Sequence, residues 1–316
     1  MRSVGFILPN PAIPRTVFHD RLCEAVRRHS WFRDGDGAAL VLPAEDTAQE
    51  TNWPRYGARA SAYLRGDPPE FRAGSPLVEY LNQVAAAARA RPDRRVLVVN
   101  MHPFVRLPML FKPFANVIVA DGSLAAFERA ANPRTISMPA LPIVKPGSGG
   151  GERTLLASFQ GAASHPVRRA LAAIDDGRDI RVRLIDPANH VGRIDAVAGR
   201  TDASYEELID RSVFSFVPRG DALFSYRLLE VMARGSIPVI LSDGWVLPFD
   251  RSVDWPSFSV SVHHDAVDRI PELLRSFTPA EVDRLRTAGA DTYRRVFGDL
   301  DRIVDTLVGE ADRIVL

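Results

Sequence analysis

Between residues 212 and 234 the chain gathers side chains suited to holding an anionic substrate. Val213 to Val217 is an apolar, β-branched run that reads as a strand; Pro218-Arg219-Gly220 turns the chain; Phe224 to Arg234 reads as an amphipathic helix closed by Gly235. Phe224, Leu228, Val231 and Met232 supply the helix with an apolar stripe, and Arg227, Glu230 and Arg234 share another face at i, i+3 and i+7. A strand–turn–helix unit brings Arg219 and the helix N-terminus together at the carboxyl edge of a sheet. A guanidinium fork beside free backbone N–H groups and a positive helix end suits a diphosphate. Glu230, about two turns into this helix, can accept hydrogen bonds from ribose hydroxyls. On spacing alone the plainer reading is an exposed Arg227–Glu230 pair worth about 0.2–0.5 kcal/mol.

Other residues could carry chemistry, each with a plainer alternative. His102 follows the strand-like run Val96 to Asn100; a histidine there can take a proton from a hydroxyl, or it can simply cap or pack. Asp121-Gly122-Ser123 follows a second such run, Asn116 to Ala120, and reads as a turn and helix start. Asp34-Gly35-Asp36 has the form of an Asp-x-Asp metal site but the composition of a turn. His263-His264 ends a strand without a third ligand at suitable spacing, so a solvated strand end is expected and no metal.

The elements that must position these residues alternate along the chain. Val4 to Leu8, Ala38 to Leu42, Val96 to Asn100 and Asn116 to Ala120 read as strands, with helices over Thr16 to His29 and from Ser75-Pro76 to about Arg91. Lys145-Pro146-Gly147-Ser148-Gly149-Gly150-Gly151 reads as a linker, because three glycines in a row would lose too much entropy in a packed element. Alternation resumes with strands at Thr154 to Gln160, Ile180 to Asp186, Ile237 to Leu241 and Phe258 to Val262. Pro166 to Ile174 is a helix, and capping boxes are expected at Ser204-Tyr205-Glu206-Glu207 and Thr278-Pro279-Ala280-Glu281. Strands separated by helices imply parallel sheets covered on both faces. Two α/β domains are expected, 1–146 and 152–316, with the last helix able to return to the first.

Composition narrows the class. With 46% hydrophobic and 25% charged residues the chain is globular, and a net charge of +1 gives no reason to expect nucleic acid. Only two of the 40 basic residues, Lys112 and Lys145, are lysines, a bias expected of a GC-rich genome. Cys23 stands alone, which excludes an internal disulfide or a cysteine metal cluster. No apolar run approaches a membrane span, so a cytoplasmic bacterial protein is the expectation.

From Tyr205-Glu206-Glu207-Leu208-Ile209 through Ser212-Val213-Phe214, Pro218-Arg219-Gly220, Ser225, Arg227-Leu228, Glu230, Gly235, Ile237-Pro238-Val239-Ile240, Pro248-Phe249, Asp254-Trp255 and Phe258-Ser259-Val260, order and spacing follow one pattern. Phe159-Gln160-Gly161 with Arg168-Arg169 extends it upstream. Over about 155 to 275 the chain resembles the exostosin family of glycosyltransferases. Gln160 departs from the basic residue usual there. The resemblance implies a GT-B fold of two Rossmann-like α/β domains facing a cleft. It implies inverting transfer of a hexose or pentose from a nucleotide sugar, uridine-linked, to a saccharide, glycolipid or small-molecule glycoside. Gly161, Arg168, Arg219, Gly220, Ser225, Arg227 and Glu230 would bind the donor without a metal or other cofactor, and His102 would be the base. A binding protein without turnover, or another GT-B enzyme such as an epimerase, is the competing expectation.

Overall fold

The computed structural model describes residues 22, 24–26, 28–29, 38–42, 76–100, 106–140, 151–185, 203–220 and 222–315. The expected strand at 4–8, most of the helix at 16–29, Asp34-Gly35-Asp36 and nearly all of the glycine linker lie outside them. The chain forms two compact units, Met1–Met138 with Ile303–Leu316, and Pro139–Arg302.

In the first unit, β1 (Ala38–Leu42), β2 (Val96–Asn100), β3 (Val117–Asp121) and β4 (Thr135–Ser137) form a parallel sheet in that order. β2 and β3 are buried at every position, as expected of parallel strands covered on both faces. Helices α1 (Pro76–Ala90), α2 (Leu107–Leu110) and α3 (Ala126–Ala131) separate the strands. Asn116 fastens the β3 entry by donating from Nδ2 to the carbonyls of Ala88, Arg91 and Arg94 at 2.9–3.0 Å. The final helix of the chain, Leu300–Arg313, buries Ile303, Val304, Leu307 and Val308. Buried Arg95 reaches its end, donating to the Asp312 carbonyl at 3.1 Å, Asp312 Oδ1 at 3.1 Å and the Ile314 carbonyl at 2.7 Å.

The second unit is a five-stranded parallel sheet in the order β6-β5-β7-β8-β9. Its strands are β5 (Leu155–Ala162), β6 (Ile180–Ile185), β7 (Ser212–Pro218), β8 (Ile237–Leu241) and β9 (Val260–Ser261). Helices α4 (Pro166–Ala172), α5 (Ala203–Asp210), α6 (Arg227–Ala233), α7 (Ile270–Arg275) and α8 (Pro279–Thr292) accompany them. Phe159, Phe214, Phe216, Ile237, Val239 and Leu171 belong to its core.

Two local expectations are corrected. Ser204 is not an N-cap, because α5 already begins at Ala203; its hydroxyl instead lies 3.4 Å from Arg183 Nη1. Helix α6 begins at Arg227, three residues later than its apolar stripe suggests, so Glu230 sits in the first turn and not the second. The cause is tertiary: Phe224 and Tyr226 pack edge to face at 5.3 Å, and Ser242 Oγ donates to the Leu223 carbonyl at 2.7 Å, holding 222–226 as a buried turn. The Thr278 capping box is present, with Glu281 accepting from Thr278 N at 2.8 Å. The Pro248-Phe249 and Asp254-Trp255 elements are packing: Trp255 Nε1 donates to the Pro248 carbonyl at 2.8 Å, Phe249 stacks on Phe297 and Trp255 packs tilted against it.

Candidate functional site

From β5 the second unit extends first to β6 and then, on the other side, to β7. The strand order therefore reverses between β5 and β7, and ligands of such sheets bind beyond the carboxyl ends at that point. The end of β5 carries Gln160 and Gly161; the end of β7 leads into Arg219 and Gly220.

Arg168, buried on α4, joins these two ends. It donates from Nε to the Arg219 carbonyl at 2.8 Å, from Nη1 to the Ala162 carbonyl at 3.0 Å and from Nη2 to the Pro218 carbonyl at 3.3 Å. Its guanidinium thus works on main-chain carbonyls and fixes the spacing of the two strands. A Cβ at Gly220 would come within 3.0 Å of Arg168 Nη2, so residue 220 must be small for that clamp to fit. Arg219 is half-buried, and its N–H continues the ladder to the Leu241 carbonyl at 3.0 Å. Ser225 is buried in the turn before α6, and its carbonyl accepts from Leu228 N at 3.2 Å.

Arg227, the first residue of α6, crosses to β5. Its Nη2 donates to the Gln160 carbonyl, and its guanidinium carbon lies 4.5 Å from the Phe159 ring centre and 5.2 Å from that of Tyr205. Such cation–π contacts are worth about 0.5–2 kcal/mol each. A Cβ at Gly161 would stand 2.9 Å from Arg227 Nη2 and 3.1 Å from Phe159 Cζ, so glycine leaves the guanidinium its room. Glu230 is buried and accepts from the Tyr205 hydroxyl at 2.6 Å. Burial, and then the charge and hydrogen bond of Glu230, hold the Tyr205 phenol well above its ordinary pKa, opposed by Arg227. The exposed Arg227–Glu230 pair is therefore not what forms: Tyr205 stands between the two.

Gln160, the departure from the family pattern, lies opposite Arg183 in the β5–β6 register and accepts from Arg183 Nη1 at 3.2 Å on Oε1. A basic group thus comes to position 160 from the neighbouring strand. The sequence quoted Tyr205 as part of a pattern without a role; its link to Glu230 spans 25 residues and two helices and has no local signal.

In the first unit, His102 lies outside the described residues. Asp121 ends β3, fully buried, accepting from Asn100 Nδ2 at 2.7 Å and Ser123 N at 2.7 Å. Burial first, and then nearby Glu128, push its carboxyl up to about 7, against Asn100, Arg106 and the Ser123 N–H. Glu128 is also fully buried; Oε2 accepts from Arg106 Nη1 at 3.2 Å and Ala125 N at 2.9 Å. Asp121 is thus more than a turn residue: it belongs to a buried polar cluster at the carboxyl end of the sheet.

Residues 70–277 match the family model of the exostosin GT47 domain. The chain is 37% identical over 102 residues to Exostosin-1 of Drosophila melanogaster and 39% identical over 101 residues to the Exostosin-1 homolog of Caenorhabditis elegans. Each match covers 32% of this chain but only 13% and 26% of those proteins. Among solved structures, a glycosyltransferase from Rickettsia africae ESF-5 aligns with a TM-score of 0.50 at 10% identity, covering 99% of this chain and 98% of that one. That likeness concerns the fold, two Rossmann-like α/β units of the GT-B class. With the family model spanning residues 70–277, the chain belongs to the exostosin family of glycosyltransferases.

Proposed function

We propose that the protein is an inverting glycosyltransferase that uses a uridine-linked nucleotide sugar and acts on a saccharide, glycolipid or glycoside hydroxyl. What supports this reading is that, at the reversal point of the second sheet, Arg219 follows the end of β7 and Arg227 reaches the end of β5, with Glu230 in the first turn of the same helix as Arg227. Arg168 would hold the strand ends in register as a positioning residue. Arg219 and Arg227 would face the diphosphate, and Glu230, oriented by Tyr205, would accept from the ribose hydroxyls. Gly161, Gly220 and Ser225 would shape the backbone around the phosphates.

In the reaction, the acceptor oxygen forms a bond to the anomeric carbon from the face opposite the diphosphate, and the bond from that carbon to the diphosphate oxygen breaks. The acceptor proton goes to a base of the enzyme, and the nucleoside diphosphate leaves with its charge neutralised by arginine. His102 is the first candidate for the base and Asp121 the second. Glycosyl transfer in the cytoplasm by a bacterial protein is part of the same reading. The experiment is UDP release on incubation with UDP-sugars and a panel of acceptors, with anomeric configuration read by proton NMR. Saturable UDP binding with no release from any donor–acceptor pair would favour a binding protein; a product of retained configuration would exclude single displacement.

A further inference from the structure

The parallel register of β8 and β9 pairs Val239 with Val260 and Ile240 with Ser261, and Val262 N continues the ladder to the Ile240 carbonyl at 2.9 Å. Carried three residues further, that offset sets Asp243 opposite His264, next to His263. The two residues meet there, since His264 N donates to the Asp243 side chain, 3.2 Å from Oδ2. The sequence showed no third ligand for the histidine pair; the sheet supplies one from the preceding strand.

One ligand atom from each of Asp243, His263 and His264 lies within 4.8 Å of the other two. His263 Nε2 is 3.0 Å from Asp243 Oδ2, and His264 Nδ1 contacts the same oxygen. Two ligands about 2.0–2.1 Å from a tetrahedral ion stand roughly 3.3 Å apart, close to the His263–Asp243 separation, and His264 is within reach of the same ion. The far sides of both rings meet one carboxylate: Asp265 Oδ2 is 3.5 Å from His263 Nδ1, and Asp265 Oδ1 is 3.3 Å from His264 Nε2. Histidines that bind metal through one nitrogen usually donate the other N–H to such an acceptor, which fixes ring and tautomer.

We propose that Asp243, His263 and His264 bind a divalent cation of borderline softness, zinc foremost, with Asp265 orienting both imidazoles. One oxygen and two nitrogens suit zinc better than magnesium or calcium, which take oxygen donors. The side chains of His263 and His264 are 59% and 49% exposed and that of Asp243 26%, so the ion enters from solvent and completes its shell with water. Without the ion, His263 Nδ1 accepts from Asp265 N at 3.3 Å. With it, the proton moves to Nδ1 and is donated to the Asp265 carboxylate while Nε2 takes the metal. The ion clips the ends of β8 and β9, a pair joined by a short ladder. The site lies at the carboxyl edge of the same sheet, two residues beyond Leu241, whose carbonyl accepts from Arg219 N.

The test titrates Zn²⁺ calorimetrically into tag-free, chelator-stripped, full-length chain. One ion per chain is expected, with Asp243→Asn and His264→Ala each weakening uptake at least a hundredfold and Asp265→Ala about tenfold. Absence of saturable binding, or binding untouched by these substitutions, overturns the proposal. Should a variant fail to fold, Co²⁺ added to the unaltered chain decides. Visible bands of a nitrogen-ligated, low-symmetry ion support the site, and the spectrum of the aqueous ion removes it.

Discussion

The Tyr205 hydroxyl donates to Glu230 Oε2 at 2.6 Å, tying α5 to the first turn of α6. A buried carboxylate acceptor held by a half-buried phenol is oriented before any ligand arrives. Preorganisation of this kind reduces the ordering cost of binding. Glu230→Ala is expected to lower UDP affinity at least tenfold, since a hydrogen bond to a charged group is worth about 1.5–3 kcal/mol. Calorimetry on the folded variant checks it; unchanged affinity would leave Glu230 a structural partner of Tyr205 alone.

Addition of UDP should raise the melting temperature equally with and without EDTA, because the groups proposed to meet the diphosphate are arginines. At 100 times the dissociation constant the gain is about 2.7 kcal/mol. A chelator that lowers the starting temperature without changing the UDP increment would separate the Asp243 site from the donor site. An increment abolished by EDTA would place a metal on the diphosphate.

Gly161→Ala adds a carbon 2.9 Å from Arg227 Nη2. The guanidinium must leave the Gln160 carbonyl, so weaker UDP binding is expected with the melting temperature nearly kept. Equal affinity in wild type and variant would show that Arg227 can move without consequence for the nucleotide.

Burial above all pushes the Asp121 carboxyl up to about 7 in the folded chain, from 3.8 as its ordinary value. An acid whose pKa is raised by folding stabilises the native state when protonated. That contribution is whole below pH 4 and is lost as the pH rises through 7. Asp121→Asn should flatten the dependence of melting temperature on pH across this window. A parallel profile in the variant would assign the slope to another group.

His102→Ala should cost about 10²–10⁴ in turnover per folded molecule and leave UDP affinity nearly unchanged. Near-normal turnover would pass the role to Asp121, whose raised pKa suits a base once solvent reaches it.

Strand positions were legible because parallel strands buried on both faces are continuous apolar runs; Ile237-Pro238-Val239-Ile240-Leu241 reads as β8 to the residue. The short β4, Thr135-Ile136-Ser137, has too few residues to show a pattern. The start of α6 departs from the sequence pattern because a stripe of period 3.6 includes Phe224, which packs on Tyr226 in the turn before the helix. For the site, spacing alone points to a surface Arg227–Glu230 pair, and the Tyr205 bond to Glu230 has no local signal. The use of Arg168 as a strand clamp, the Arg183 contact at Gln160 and the meeting of Asp243 with His264 all depend on register between strands. Register is a tertiary property that no local window contains.

The return of the last helix means that the first unit is discontinuous in sequence, while 139–302 is one uninterrupted stretch. The two units are thus joined by two chain crossings instead of one. A cut near residue 302 would not trim a tail. It would strip Arg95 of the Asp312 carbonyl, the Asp312 carboxylate and the Ile314 carbonyl, and take Ile303, Val304, Leu307 and Val308 out of the first unit. Expression boundaries drawn from the family match alone, which stops at 277, would therefore divide a folding unit rather than isolate one.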